Sequence, residues 1–407
     1  MADREVAVTG IGFVLPAGHS VAAVWDHIVA GRTAIGPVRT IPTDRLGCAL
    51  LAEIVDFDGC EHFDRRQLLN LDRMSQFAVV AARRAVADAA LDLAREDRDC
   101  IPTILGSGVG GLTTLDASFA HFYGPALGRP APMTIPKSML NAGASNVSID
   151  LELRGESYAV ASACSSSAHA IGHAFRLVRS GAADVAITGG AEACLTVGTI
   201  KGWESMRVLS NDGCRPFSAD RSGLVLGEGA AILVLEEAGR ARARGAHIYG
   251  LVAGFGASAD ACDITAPDAG GAVRAMAAAL RDAGIITDDV GYINAHGTGT
   301  QANDATEARA IHMLFGEKAR SVPVSSTKGA LGHSLGATGA VEAALSLLAL
   351  DRGILPPTAG WRVADPNCEL DVIHGAARPA QPRVTLSNSF AFGGLNAALV
   401  FRHAPTG

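Results

Sequence analysis

Short apolar runs that close on glycine alternate with segments of helical period, and they do so twice along this chain. That rhythm confines it to an α/β fold whose strands are mostly buried. In the first set, strands are expected at residues 5–12, 102–106, 158–162, 184–188 and 230–235, with helices at 74–91 and 165–180. The second set places helices at 271–283, 306–315 and 339–350 and strands at 291–295, 322–326, 385–389 and 397–401. The two sets match in layout rather than in residues, which points to a duplicated architecture. No Pro/Ser/Gly linker separates them, so the expectation is one compact body of two halves, residues 1–250 and 251–407.

Composition removes several classes of function. With 48% apolar and 18% charged residues over 407 positions, the chain buries a sizeable core and is no disordered tail. A formal net charge of -7 supplies no global basic field for nucleic acid. The longest apolar stretches, such as 343–350, are too short to span a bilayer, and MADREVAVTGIG holds acids and a Gly where an export signal needs unbroken apolar sequence. The eight Cys form no CxxC and have no His at zinc spacing, so the expectation is reduced thiols, no metal and a cytoplasmic chain without membrane or nucleic-acid partners.

Three motifs carry candidate chemistry. Gly106-Ser-Gly108-Val-Gly-Gly111 matches a dinucleotide fingerprint after a strand, but no acid follows about 20 positions on, and a tight turn is the simpler reading. Gly332-His333-Ser334-Leu335-Gly336 matches the nucleophile elbow of hydrolases. Ser334 with His374 or His403 and Asp351 or Asp371 would complete a triad in the required order, although the residues before the elbow are polar and broken by Gly. The third motif puts Cys164 between a buried strand and a helix of small residues, where the positive helix end and free N–H groups lower a thiol pKa. His296, in NAHGTGT, and His333, in TKGALGH, lie in small-residue loops after strands, and a Cys/His/His set suits thioester chemistry.

With these motifs in view, the sequence resembles a β-ketoacyl-acyl carrier protein synthase of the thiolase superfamily, on the elongating, decarboxylating branch. The resemblance spans essentially the whole chain. It rests on ACSSSAHAIG around Cys164, ITGGAEA, RPFSADRSGLVLGEGA, NAHGTGTQANDATEA, STKGALGHSLGATGAVEA and SNSFAFGGLNAALVF. It implies a thiolase-like five-layered α/β/α/β/α fold of two similar halves, the first with the nucleophile and the second with both His. It implies an acyl-enzyme at Cys164, an oxyanion hole at the N–H groups of Cys164 and Phe392, and hydrogen bonds from His296 and His333 to a malonyl-derived enolate.

By the same resemblance Lys328 orients the His loop by pairing with Glu342, and Thr298, Thr300, Thr265 and Phe390 hold the pantetheine arm. Asp304 and Glu307 buttress the loop. The resemblance requires no cofactor and allows a structural monovalent cation near Glu342 and Asn388.

The usual GFGGTN is here Ala391-Phe392-Gly-Gly-Leu395-Asn396, and Leu224 stands where relatives often carry Phe, so gating and pocket shape are expected to differ at Leu224, Ala391 and Leu395. The stretch LDRMSQFAVV looks more like the ketosynthase subunits of dissociated polyketide or polyene systems than housekeeping fatty-acid elongation. The implied partners are acyl carrier protein, met by a local basic patch for which Arg65, Arg66, Arg73 and Arg207 are candidates, and a second copy or a chain-length-factor-like subunit. A chain-length-factor role for this chain itself, and a hydrolase using Ser334, stand beside the condensing reading.

Overall fold

The computed structural model describes residues 4–124 and 128–404. Its central sheet has 11 strands. In chain order they are β1 (Val6–Val14), β2 (Thr103–Gly106), β3 (Ser157–Val160), β4 (Val185–Glu192), β5 (Gly229–Glu237), β6 (Gly250–Ala259), β7 (Tyr292–Asn294), β8 (Pro323–Ser325), β9 (Asp371–Val372), β10 (Val384–Ala391) and β11 (Leu395–Arg402). The helices that matter here are α1 (Arg73–Asp88), α2 (Leu112–Tyr123), α3 (Ala142–Leu151), α4 (Ser166–Ser180), α5 (Val197–Ser205), α6 (Ala269–Ala283), α7 (Gln301–Phe315) and α8 (Thr338–Arg352).

The strand order is β3-β2-β4-β5-β1-β6-β11-β10-β7-β8-β9. Read outward from the β1/β6 seam, the two halves repeat one topology: β1-β5-β4-β2-β3 and β6-β11-β10-β7-β8, with β9 added at the far edge. The strand senses repeat too, antiparallel twice and then parallel twice. The duplication therefore lies in pairing order, and the seam is an antiparallel contact of Val6, Ala7 and Val8 with Val252, Leu251 and Gly250.

Helices α1 and α3 cover the outer face of the first half, and α6 and α7 that of the second. Helices α4 and α8 lie between, sharing one core with strands of both halves, so five layers result. Fully buried strands explain the near-continuous apolar runs of β1 and β5.

The central layer is tight because its glycines admit backbone. A Cβ on Gly106, the last residue of β2, would lie 2.2 Å from the Ser167 nitrogen in the first turn of α4. A Cβ on Gly339 would lie 2.8 Å from the Ala168 nitrogen, where α8 crosses that turn. The Ser/Ala run after Cys164 is thus the packing face that lets β2 and α8 close on α4. Gly106→Ala is expected to destabilise the fold by about 3 kcal/mol, read from urea unfolding. An unchanged midpoint would contradict this packing.

Candidate active site

Cys164 occupies a 3-10 turn, Ala163–Ser165, that joins β3 to α4. Ala163 takes φ +50°, a left-handed conformation costly for a residue with a Cβ. Hydroxyls hold the turn there. Ser166 Oγ donates to the Ala163 carbonyl at 2.6 Å and accepts from Ser162 N at 2.9 Å, and Ser165 Oγ donates to the Leu395 carbonyl at 2.9 Å.

His296 follows β7 and His333 sits in the loop before α8; the two ring centroids are 5.5 Å apart. Cys164, His296 and His333 open on one cavity of about 450 Å³. Thr298, Thr300, Asn303 and Asn396 supply polar wall, and Trp203, Met206, Val208 and Leu224 apolar wall. Thr265, Phe390, Ala391 and Phe392 also line it, whereas the Leu395 side chain is not part of the wall. Phe392 stacks on Trp203 with centroids 5.7 Å apart. Behind Cys164, Leu195, Ile200, Leu224, Leu226 and Leu335 form an apolar cluster with it.

Lys328, 1% exposed, is at the centre. Its Nζ donates to the His296 carbonyl, reaches Glu342 Oε1 at 2.5 Å and lies 3.3 Å from His296 Nδ1. An ammonium has only protons to offer, so Nδ1 of His296 is the acceptor and its Nε2 carries the proton. Burial, then Lys328, then His333 hold the His296 pKa well below the ordinary value. Burial and Lys328 do the same to His333, so both rings are neutral at neutral pH.

Glu307 and Asp304 are buried rather than solvated. Glu307 accepts from the backbone N–H groups of His296 and Gly297, both at 2.8 Å, and Asp304 accepts from Gly299 at 3.2 Å and Phe217 at 2.8 Å. Burial raises both carboxyls. The Thr298 and Thr300 hydroxyls are 2.8 Å apart on the same loop. Burial also pushes Glu342 up to about 7, against the pull of Lys328.

Asn294 Oδ1, Glu342 Oε2 and Asn388 Oδ1 are buried oxygens with no hydrogen-bond partner among the described residues. Carboxylate and amide oxygens are donors that suit a hard cation.

Two expectations change. The thiol of Cys164 is not lowered: burial pushes it up to about 11, opposed first by Lys328 and then by the N–H groups of Cys164 and Phe392. Desolvation in the apolar cluster outweighs the short turn's dipole. The triad around Ser334 is dispersed. His374 stacks on Trp361, His403 bonds the Ala404 carbonyl, Asp351 pairs with His247 and Arg352, and Asp371 pairs with Arg378. The Gly106–Gly111 segment is the tight turn, closed on a carboxylate of the protein itself.

That carboxylate is Glu192, which the sequence reading missed. It is fully buried and accepts from Ser107 Oγ at 2.9 Å, Gly108 N at 2.6 Å and Gly336 N at 2.9 Å, tying the turn after β2 to the His333 loop. An acid closing the apolar strand ITGGAEA was its only signal. His333 is held from the other side, where its N–H donates to the Val225 carbonyl at 2.7 Å.

Because the thiol is raised, the rate of Cys164 alkylation by iodoacetamide is expected to climb about tenfold per pH unit from about pH 7 to about pH 10. A plateau near neutrality would contradict the buried-thiol assignment. Lys328→Met should slow alkylation further, since it removes the largest influence favouring the thiolate.

Residues 3–241 match the family model "Beta-ketoacyl synthase, N-terminal domain" and residues 249–362 "Beta-ketoacyl synthase, C-terminal domain". The chain is 45% identical over 401 residues to nodulation protein E of Rhizobium sp. (strain N33), covering 98% of this chain and 99% of that protein. It is 40% identical over 407 residues to 3-oxoacyl-[acyl-carrier-protein] synthase 2 of Staphylococcus aureus (strain COL), covering 98% of each. Among solved structures, the ishigamide ketosynthase/chain length factor superposes with TM-score 0.94 at 34% identity, over 99% of this chain and 100% of that one. A type II PKS acyl-carrier protein in complex with its ketosynthase bound to the hexaketide superposes with TM-score 0.91 at 27% identity, over 99% and 100%.

Proposed function

The chain belongs to the β-ketoacyl synthase family, and on that premise we propose that Cys164, His296 and His333 carry its condensation reaction. The reaction is a decarboxylative Claisen condensation of an enzyme-bound acyl thioester with malonyl-acyl carrier protein. The convergence of one thiol and two neutral imidazoles on a single part-apolar cavity carries the reading.

Cys164 attacks the carrier thioester and the pantetheine thiol leaves. The resting thiol is protonated, so its proton ends on the leaving pantetheine sulfur as the C–S bond to Cys164 forms and the one to pantetheine breaks. The N–H groups of Cys164 and Phe392, which already act on the sulfur, serve the tetrahedral oxyanion. The acyl chain rests against the apolar cluster around Leu224 and Leu195. The wall at Thr298, Thr300, Thr265 and Phe390 takes the pantetheine arm. Malonyl then loses CO2, and His296 and His333 donate N–H to the enolate oxygen. The carbanion attacks the acyl-enzyme, and the 3-ketoacyl thioester leaves on the carrier.

No cofactor enters these steps. A monovalent cation near Glu342 and Asn388 would have the unpartnered Glu342 Oε2 and Asn388 Oδ1 as oxygen donors and would supply positive charge there.

The partners are an acyl carrier protein and a second subunit, either another copy or a chain-length-factor-like chain. Arg65, Arg66 and Arg207 are exposed, as a surface that meets an acidic carrier requires. Arg73 is withdrawn from that patch by its two-pronged bond to Glu228, at 3.0 and 2.8 Å. Exposed Phe119, Phe122 and Tyr123 on α2, with Ile135 and Met139 after it, give an apolar face for the second subunit. Among the described residues no helix is long and apolar enough to cross a membrane, and the eight cysteines are free, which fits a cytoplasmic setting.

The test mixes acyl- and malonyl-carrier proteins with the enzyme and follows CO2 and 3-ketoacyl product. His296→Ala and His333→Ala are each expected to lower malonyl decarboxylation by about a hundredfold to a thousandfold. Undiminished decarboxylation in both would overturn the assignment.

A further inference from the structure

We propose that the hydroxyls of Ser334 and Thr338 form a proton relay that fixes the tautomer of His333, so that its Nε2 presents a hydrogen to the cavity. The functional meaning of the relay rests on the condensing role assigned to His333 above; its structural basis does not.

His333 is 1% exposed and neutral, so one ring nitrogen donates and the other accepts. Its Nδ1 lies 3.0 Å from Thr338 Oγ1, at the first residue of α8. Thr338 Oγ1 lies 3.2 Å from Ser334 Oγ. Among the described residues these are the only protein partners of either hydroxyl.

Two proton orders are conceivable. If His333 Nδ1–H donates to Thr338 and Thr338 to Ser334, the Ser334 proton has no acceptor. If Ser334 donates to Thr338 and Thr338 to Nδ1, both hydroxyl protons are placed and the one ring proton, on Nε2, is left for the cavity that His333 lines. Both side chains are buried, so the second order wins, because an unmet donor inside a protein costs more than a made bond returns.

The serine of the elbow-like motif is then the first donor of a chain that aims a histidine, and Thr338 is a positioning residue. His296 reaches the same tautomer by another route, since Lys328 offers its proton to that Nδ1. Two different donors thus orient two rings for one developing oxyanion.

The relay is tested by long-range ¹H–¹⁵N correlation on enzyme labelled at histidine nitrogen, with His333→Gln assigning the signal. The wild type is expected to show a bare Nδ1 and a protonated Nε2 at His333. Thr338→Val, of matching shape, should move the ring towards a mixture of tautomers and lower malonyl-carrier decarboxylation by about tenfold, and Thr338→Ser should restore both. Ser334→Ala, one step further from the ring, should shift the same Nδ1 resonance and serves if the valine variant fails to fold. A wild-type proton on Nδ1, or a valine variant with unchanged tautomer and rate, would overturn the relay. Absence of decarboxylation in the wild type would count against the condensing role, while the spectrum would still decide the relay.

Discussion

One buried ammonium holds the site in register. Lys328 Nζ donates to the His296 carbonyl, faces the His296 ring and meets Glu342 at 2.5 Å, all away from water. Such a pair adds little net stability over an apolar pair of the same volume, while losing one partner costs about 3–5 kcal/mol through the stranded charge. Its value lies in the field it sets. The same charge adds to burial, the larger cause, in keeping His296 and His333 neutral, and it is the largest influence favouring thiolate at Cys164. Neutral imidazoles donate without adding a cation that would need desolvating, which is what an enolate oxygen requires.

The loops around this charge are fixed by buried acids receiving backbone N–H groups. Glu307 and Asp304 hold the His296 loop, and Glu192 joins the turn after β2 to the His333 loop. Each carboxylate spans backbone that no strand pairing reaches. The duplicated sheet brings these loops together: β2 and β4 in one half and β7 and β10 in the other end next to the layer of α4 and α8.

Much of this was legible in the sequence because buried strands write themselves as apolar runs. Strands β1, β4 and β5 and helices α1, α4 and α8 were found, with ends misplaced by a few residues. Strand β6 was missed because Gly254 and Gly256 look like a turn. They are there for packing, as a Cβ on either would fall within 2.3 Å of a carbonyl oxygen of α6. Helix α7 begins at Gln301, five residues earlier than the periodicity suggested, because Thr300 caps it inside what reads as loop. Cys164 and both histidines stood out by their small-residue settings. Glu192 and Thr338 did not, since a single acid or threonine gains its role only from partners distant in sequence or one helical turn away. The thiol pKa was misjudged for a related reason: a dipole is visible in the local sequence, while desolvation depends on the whole fold.

The central claim is that this cavity forms a covalent acyl-enzyme at Cys164. Intact-mass measurement after exposure to a series of acyl-carrier proteins tests it directly, with wild type beside Cys164→Ala. The account predicts one added acyl group on the wild type and none on the variant. Equal loading of both, or no loading with any chain even beside a partner subunit, would contradict it.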